Sequence, residues 1–164
     1  MSRWWWPTSS APSVADISID GLLEHGVRGA ILDLDNTLVG YRADGVSEAT
    51  IAWLARAREA GLKLVILTNN RTQWAAQIAR SLDLPYITDA RKPAPRAFRR
   101  ALERIGVAKA DAVAIGDQFF TDVLGARLAG LNVILVEPLA PGDPWNTRWL
   151  RILERWILRG LPRA

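Results

Sequence analysis

From Gly29 onward, apolar runs of strand length alternate with stretches of helical periodicity, and most of the runs end in a polar cluster. Short, wholly apolar runs are what a strand buried on both faces requires, and amphipathic helices between them supply the cover. The runs Ala30–Leu34, Lys63–Leu67, Pro85–Ile87, Ala112–Ile115 and Asn132–Val136 read as strands. Helices are expected from Ser47 through Ile51, Trp53 and Leu54, then over Thr72–Leu82, Pro95–Ile105 and Thr121–Ala129. The expected fold is α/β: a Rossmann-like, doubly wound, mainly parallel five-stranded sheet. Residues 29–142 would form this core, after a Trp-containing N-terminal segment (1–28) and before a basic amphipathic C-terminal helix (143–164).

Composition narrows the chemistry. The 164 residues contain no Cys and a single His, so thiolate metal sites, Cys nucleophiles and multi-His clusters are excluded. His25, just before the first expected strand, reads as a turn residue, so catalysis has to rest on carboxylates. Lys and Arg outnumber Asp and Glu by 21 to 17, a net charge of +4 that favours anionic partners. No run approaches the roughly 20 apolar residues that span a bilayer, and Ser2–Ser10 lacks the apolar stretch of a signal peptide. A cytoplasmic location is therefore expected.

In a doubly wound sheet, ligands bind where loops leave the carboxyl ends of the strands. Four polar clusters fall there: Asp33–Thr37, Thr68, Lys92 and Gly116–Asp122. Asp33 and Asp35, two apart on an extended chain, point the same way and can divide labour. One carboxylate attacks phosphorus; the other protonates the leaving alkoxide and later deprotonates water. Asp33 is assigned the first task and Asp35 the second. Attack on a phosphate dianion needs positive charge, which Lys92 can supply, and donors, which Thr68 and the N–H groups after it, beginning with Asn69, can supply. Asn69 and Asn70 also suit a turn. The all-oxygen donor set fits Mg²⁺, with Asp117 a direct ligand and Asp122 either binding through water or orienting Lys92. Taken singly, Thr68 also suits a helix cap, Lys92 a solvated loop and Asp122 the first turn of a helix.

These blocks, in this order, resemble the haloacid dehalogenase (HAD) phosphatases: D-x-D-x-T, a Thr ending the second strand, a Lys, and G-D-x-x-x-x-D. The resemblance implies Asp33 as aspartyl-phosphate nucleophile and metal ligand, and Asp35 as acid/base with its carbonyl on Mg²⁺. It further implies Thr68 and Lys92 on phosphate and Asp117 on the metal, with Asp122 beside it. The segments DLDNTLV, TNN, KP and GDQFFTDVLGARLAGLNVILVEP are similar to the YqeG-type phosphatases of subclass IIIA, a group similar to mitochondrial phosphatidylglycerophosphate phosphatases. That closer resemblance implies a phosphorylated lipid as substrate, with phosphatidylglycerophosphate the leading candidate. Leu38–Ser47 and Ile87–Gly116 leave no room for a cap domain, so the site should be open. An open site suits a headgroup presented by a membrane, or a homo-oligomer in which a neighbour closes the pocket.

The ends carry most of the Trp: Trp4, Trp5 and Trp6 at the start, and Trp145, Trp149 and Trp156 after an Asp143-Pro144 helix start. The tail sets Trp, Ile152, Leu153 and Ile157 against Arg148, Arg151, Arg155 and Arg159, a pattern that fits an anionic membrane surface as well as packing on protein. A peripheral membrane enzyme is the expectation. A soluble sugar- or nucleotide-phosphate phosphatase and a basic RNA- or ribosome-binding module are the alternatives, and no nucleic acid is expected, because no RNA-binding motif accompanies the basic residues.

Overall fold

The structure is a computed structural model that describes residues 4–41 and 43–140; the expected C-terminal helix lies outside them. Its strands are β1 (Ser9–Ala11), β2 (Gly29–Leu32), β3 (Lys63–Leu67), β4 (Tyr86–Ile87), β5 (Ala112–Gly116) and β6 (Asn132–Val136). All pairs are parallel, in the order β1-β6-β5-β2-β3-β4. The helices are α1 (Ile19–Glu24), α2 (Glu48–Glu59), α3 (Gln73–Ser81), α4 (Pro95–Ile105) and α5 (Leu124–Leu128).

Alternation along the strands sorts the core into two layers. Ala30 and Leu32 of β2, Leu64 and Ile66 of β3, and Val113 and Ile115 of β5 face α1, α2 and α3. Ile31, Val65, Leu67, Ala112 and Ala114 face α4 and α5. The doubly wound α/β sheet is therefore as expected, with both faces covered. Ser47 accepts from Thr50 N–H at 3.2 Å to open α2, and Pro95 at the start of α4 with left-handed Gly106 after its end (φ 64°) delimits that helix. Trp53 of α2 is wholly buried, and its indole N–H donates to Ile17 O at 2.8 Å. Truncating so large a core side chain costs about 3–5 kcal/mol.

Two details depart from expectation. The sheet has six strands, not five. The sixth, β1, comes from the N-terminal segment, whose Val14 and Ile17 are buried in the main core, so β1 and the residues from it to 28 pack with the sheet. Next, the expected Thr121–Ala129 helix is a wide π turn, Phe119–Val123, followed by the short α5. At the N-terminal end Trp5 and Trp6 are half-buried and meet Phe119 edge to face, with ring centroids 5.8 and 5.9 Å away. Of the described N-terminal Trp, only Trp4 is mostly exposed, at 53%.

Candidate active site

The chain runs from β2 outward to β3 and β4, then returns to the other flank of β2 as β5. Loops leaving β2 and β5 therefore part in opposite directions, which opens a crevice at their carboxyl ends. Asp33 follows β2 directly, and its N–H still reaches Ile115 O of β5 at 2.9 Å. Asp117 follows β5. Thr37 links the two: its hydroxyl lies 3.0 Å from Asp33 Oδ2, to which it donates, and 3.4 Å from Asp117 Oδ1. Asn36, in the left-handed region (φ 60°), turns the chain back, and Leu139 N–H donates to its carbonyl at 3.0 Å.

Lys92 comes from the loop between β4 and α4. Its ammonium donates to Asp33 Oδ1 and to Asp122 Oδ1, each at 2.6 Å, while the residue is 7% exposed. Asp122 reaches this position because the π turn swings it back over Gly116, and its other oxygen accepts from Gln118 N–H at 3.1 Å. No side chain fits at Gly116: a Cβ there would lie 2.4 Å from the Asp122 carboxylate. Such widened turns recur where a helix must aim a side chain at a site.

Ligand oxygens of Asp33, Asp117 and Asp122 lie within 4.8 Å of one another, and all three residues are buried. Three carboxylates facing one ammonium leave two excess negative charges when all are ionised, which a buried site tolerates only with compensation. A hard divalent cation supplies both the charge and the preference for oxygen, so the residues present fit such an ion. Burial pushes the Asp33 carboxyl up to about 6, against the pull of Lys92, while the neighbouring Asp122 and Asp33 hold Lys92 well above the usual lysine range despite its burial.

On the β3 side the partners are neutral. Asp35 is half-buried; its Oδ2 accepts from the Thr68 hydroxyl at 3.0 Å and its Oδ1 from Asn70 Nδ2 at 2.9 Å. Burial is the largest influence on Asp35 and raises its pKa, with the Asn70 hydrogen bond acting in the opposite direction. Asn69 uses its side chain to grip the Lys92 backbone, donating to the carbonyl at 2.9 Å and accepting from the N–H at 2.7 Å. Its amide thus fixes the Lys92 loop, and what it offers an anion is its backbone N–H.

The structure brings Asp33, Lys92, Asp117 and Asp122 into one cluster and places Asp35 with Thr68 beside it. Asp122 has one oxygen on the Lys92 ammonium and the other on a backbone N–H, so it orients Lys92 while its carboxylate stays within reach of Asp33 and Asp117. Thr37 and Asn70 hold the site without having been assigned a task from sequence. Thr37 carried a signal, as the closing residue of D-x-D-x-T; Asn70 read only as a turn former.

Residues 42–130 match the family described as haloacid dehalogenase-like hydrolase. The chain belongs to that family, and it is a hydrolase of the phosphatase type. It is 37% identical over 163 residues to a probable phosphatase, YqeG, of Bacillus subtilis, an alignment covering 99% of this chain and 95% of the relative. A chloroplastic phosphatidylglycerophosphate phosphatase 1 of Chlamydomonas reinhardtii is 25% identical over 164 residues, covering 93% of this chain and 61% of its own. Among solved structures, a HAD phosphatase from Thermococcus onnurineus superposes with a TM-score of 0.51 at 29% identity, over 73% of this chain and 60% of that one.

Proposed function

We propose that the protein is a Mg²⁺-dependent phosphomonoesterase that forms an aspartyl-phosphate on Asp33, and that its substrate is a lipid phosphate, phosphatidylglycerophosphate in the first instance. The observation that carries the chemistry is the Asp33 carboxylate held 2.6 Å from the Lys92 ammonium inside a cluster of buried acids. An Asp33 oxygen attacks phosphorus in line, the P–O ester bond breaks, and its electron pair leaves with the ester oxygen, which takes a proton from Asp35. Asp35, now a carboxylate, removes a proton from water, which attacks the same phosphorus and releases inorganic phosphate and Asp33. Lys92 has a third N–H for a phosphate oxygen, since Asp33 and Asp122 occupy two. Asp33, Asp117 and Asp122 frame the place for Mg²⁺, which when bound offsets the negative charge of nucleophile and phosphate.

Three observations support the lipid reading. The Chlamydomonas relative carries that activity in its name. Among the described residues no cap domain is inserted, since Leu38 to Ser47 is a short loop and only α4 and a 3₁₀ turn separate β4 from β5. The basic balance of the chain suits an anionic surface, with the C-terminal segment as a peripheral membrane contact on the cytoplasmic side. No described helix is long and apolar enough to cross a membrane. The test is phosphate release from phosphatidylglycerophosphate in mixed micelles, with Mg²⁺ and with chelator, beside soluble sugar and nucleotide phosphates. Activity on the lipid that needs the metal is expected; preference for a soluble ester overturns the substrate assignment, and turnover retained in Asp33→Asn overturns the mechanism.

A further inference from the structure

Asp35 is tied at both oxygens, and only one of the ties comes from a residue assigned from sequence. Thr68 donates to Oδ2, and Asn70 Nδ2 donates to Oδ1 at 2.9 Å. The Asn70 amide cannot be turned round. Its oxygen accepts from the Thr72 backbone N–H at 2.9 Å and from the Thr72 hydroxyl at 2.7 Å. A backbone N–H can only donate, so the amide oxygen faces Thr72 and the NH₂ faces Asp35. Thr72 is itself the N-cap of α3, accepting from Ala75 N–H at 3.3 Å, and the Asn70 N–H donates to Thr68 Oγ1 at 3.0 Å. A carboxyl group on an irregular loop is thereby referenced to a nine-residue helix and to the end of β3.

We propose that Asn70 is a positioning residue: it fixes the plane of the Asp35 carboxyl group, and with it the direction in which the proton passes to the departing ester oxygen. In that step the Asp35 O–H bond breaks as the new O–H bond forms on the alkoxide, whose electron pair comes from the cleaved P–O bond. The inference rests on the reading of Asp35 as the acid and base of the reaction. Asn70 touches neither phosphorus nor leaving group; it acts through Asp35.

Two esters separate this role from that of a turn former. The p-nitrophenolate leaving group departs without a proton, whereas the alkoxide of glycerol 3-phosphate needs one. Asn70→Asp keeps the acceptor that holds Thr72 but removes the donor to Asp35. For this variant the burst of p-nitrophenolate should stay within about threefold of wild type, while kcat on glycerol 3-phosphate falls about 10- to 100-fold with KM nearly unchanged. Asn70→Ala should show the same split, and it decides the matter if the Asp variant does not fold. Equal losses on both esters, or none on either, overturn the positioning role. Asp35→Asn is measured in parallel. If it too treats the esters alike, the acid/base reading of Asp35 has failed; if it discriminates and both Asn70 variants do not, only the role of Asn70 has failed.

Discussion

The two aspartates at the tip of β2 are two residues apart, yet their surroundings have little in common. Asp33 is buried, bonded to the Lys92 ammonium and grouped with two further acids. Asp35 is half-buried and meets an amide and a hydroxyl. The ionic side selects for charge: it fits a cation, and its carboxylate is the one proposed as the nucleophile. The neutral side tolerates either protonation state, since Asn70 and Thr68 donate to a carboxylate and a protonated group can still be accommodated on its open side. One motif is split between two chemistries because the Lys92 ammonium and the acids that follow β5 reach Asp33, whereas the Thr68 hydroxyl and the Asn70 amide that follow β3 reach Asp35.

Removing the nucleophile should have the largest effect. Asp33→Asn is expected to lower turnover at least about 10³-fold, read as phosphate release, and to leave no hydroxylamine-labile phosphoryl group on the protein. Asp35→Asn should cost about 10²- to 10⁴-fold yet still permit labelling of Asp33 by an activated ester, which separates the two roles. If both variants abolish labelling equally, the division of labour is wrong. Lys92→Met strips the buried acids of their partner, so unfolding in chelator should be easier by about 3–5 kcal/mol, and divalent cation should recover part of that. A loss that no cation reduces would count against a shared metal site.

Gly116→Ala is a finer probe, because its methyl group collides with the Asp122 carboxylate and leaves Asp33 in place. Overpacking of this kind costs about 1–3 kcal/mol, seen as a lower melting temperature, and should weaken metal binding along with it. A further probe is pH, acting on the metal-free protein. Burial raises Asp33 from 3.8 to about 6, so between these values the folded chain binds more protons than the unfolded one. Stability from this group therefore increases as pH falls from about 6 towards 4, and its penalty is fully present above 6. Metal competes with the same proton, so cation affinity should weaken below about pH 6. Melting curves in chelator across that range should show the slope in wild type and not in Asp33→Asn.

Much of this was legible in the residues. The β2, β3, β5 and β6 runs are apolar enough to admit only a covered parallel sheet, and the topology rule then collects Asp33, Thr68, Lys92 and Asp117 at one edge. Ser9-Ser10-Ala11 gave no strand signal, being short and largely polar; its conformation comes from its neighbour β6. The π turn was hidden because one extra residue per turn barely changes the spacing of apolar positions, and only the Gly116–Asp122 contact reveals why the widening is there. Composition places Trp5 and Trp6 near the start of the chain but cannot foresee Phe119 beside them. Asn70 was opaque for a related reason: the direction of an amide depends on Thr72 as much as on its own place in the sequence.

The pairing of β1 with β6 bears on how the molecule is made. Val133 N–H donates to the Thr8 hydroxyl across 125 positions of sequence, so as the polypeptide is synthesised β1 must wait for β6 to emerge. Contacts of such separation form late, and until then the flank of β6 is an unpaired ladder open to strands of other molecules. Residues 9–11 thus act as a guard on that flank, and removing them should show itself first as clumping during expression, before any loss of catalytic competence in the molecules that do fold.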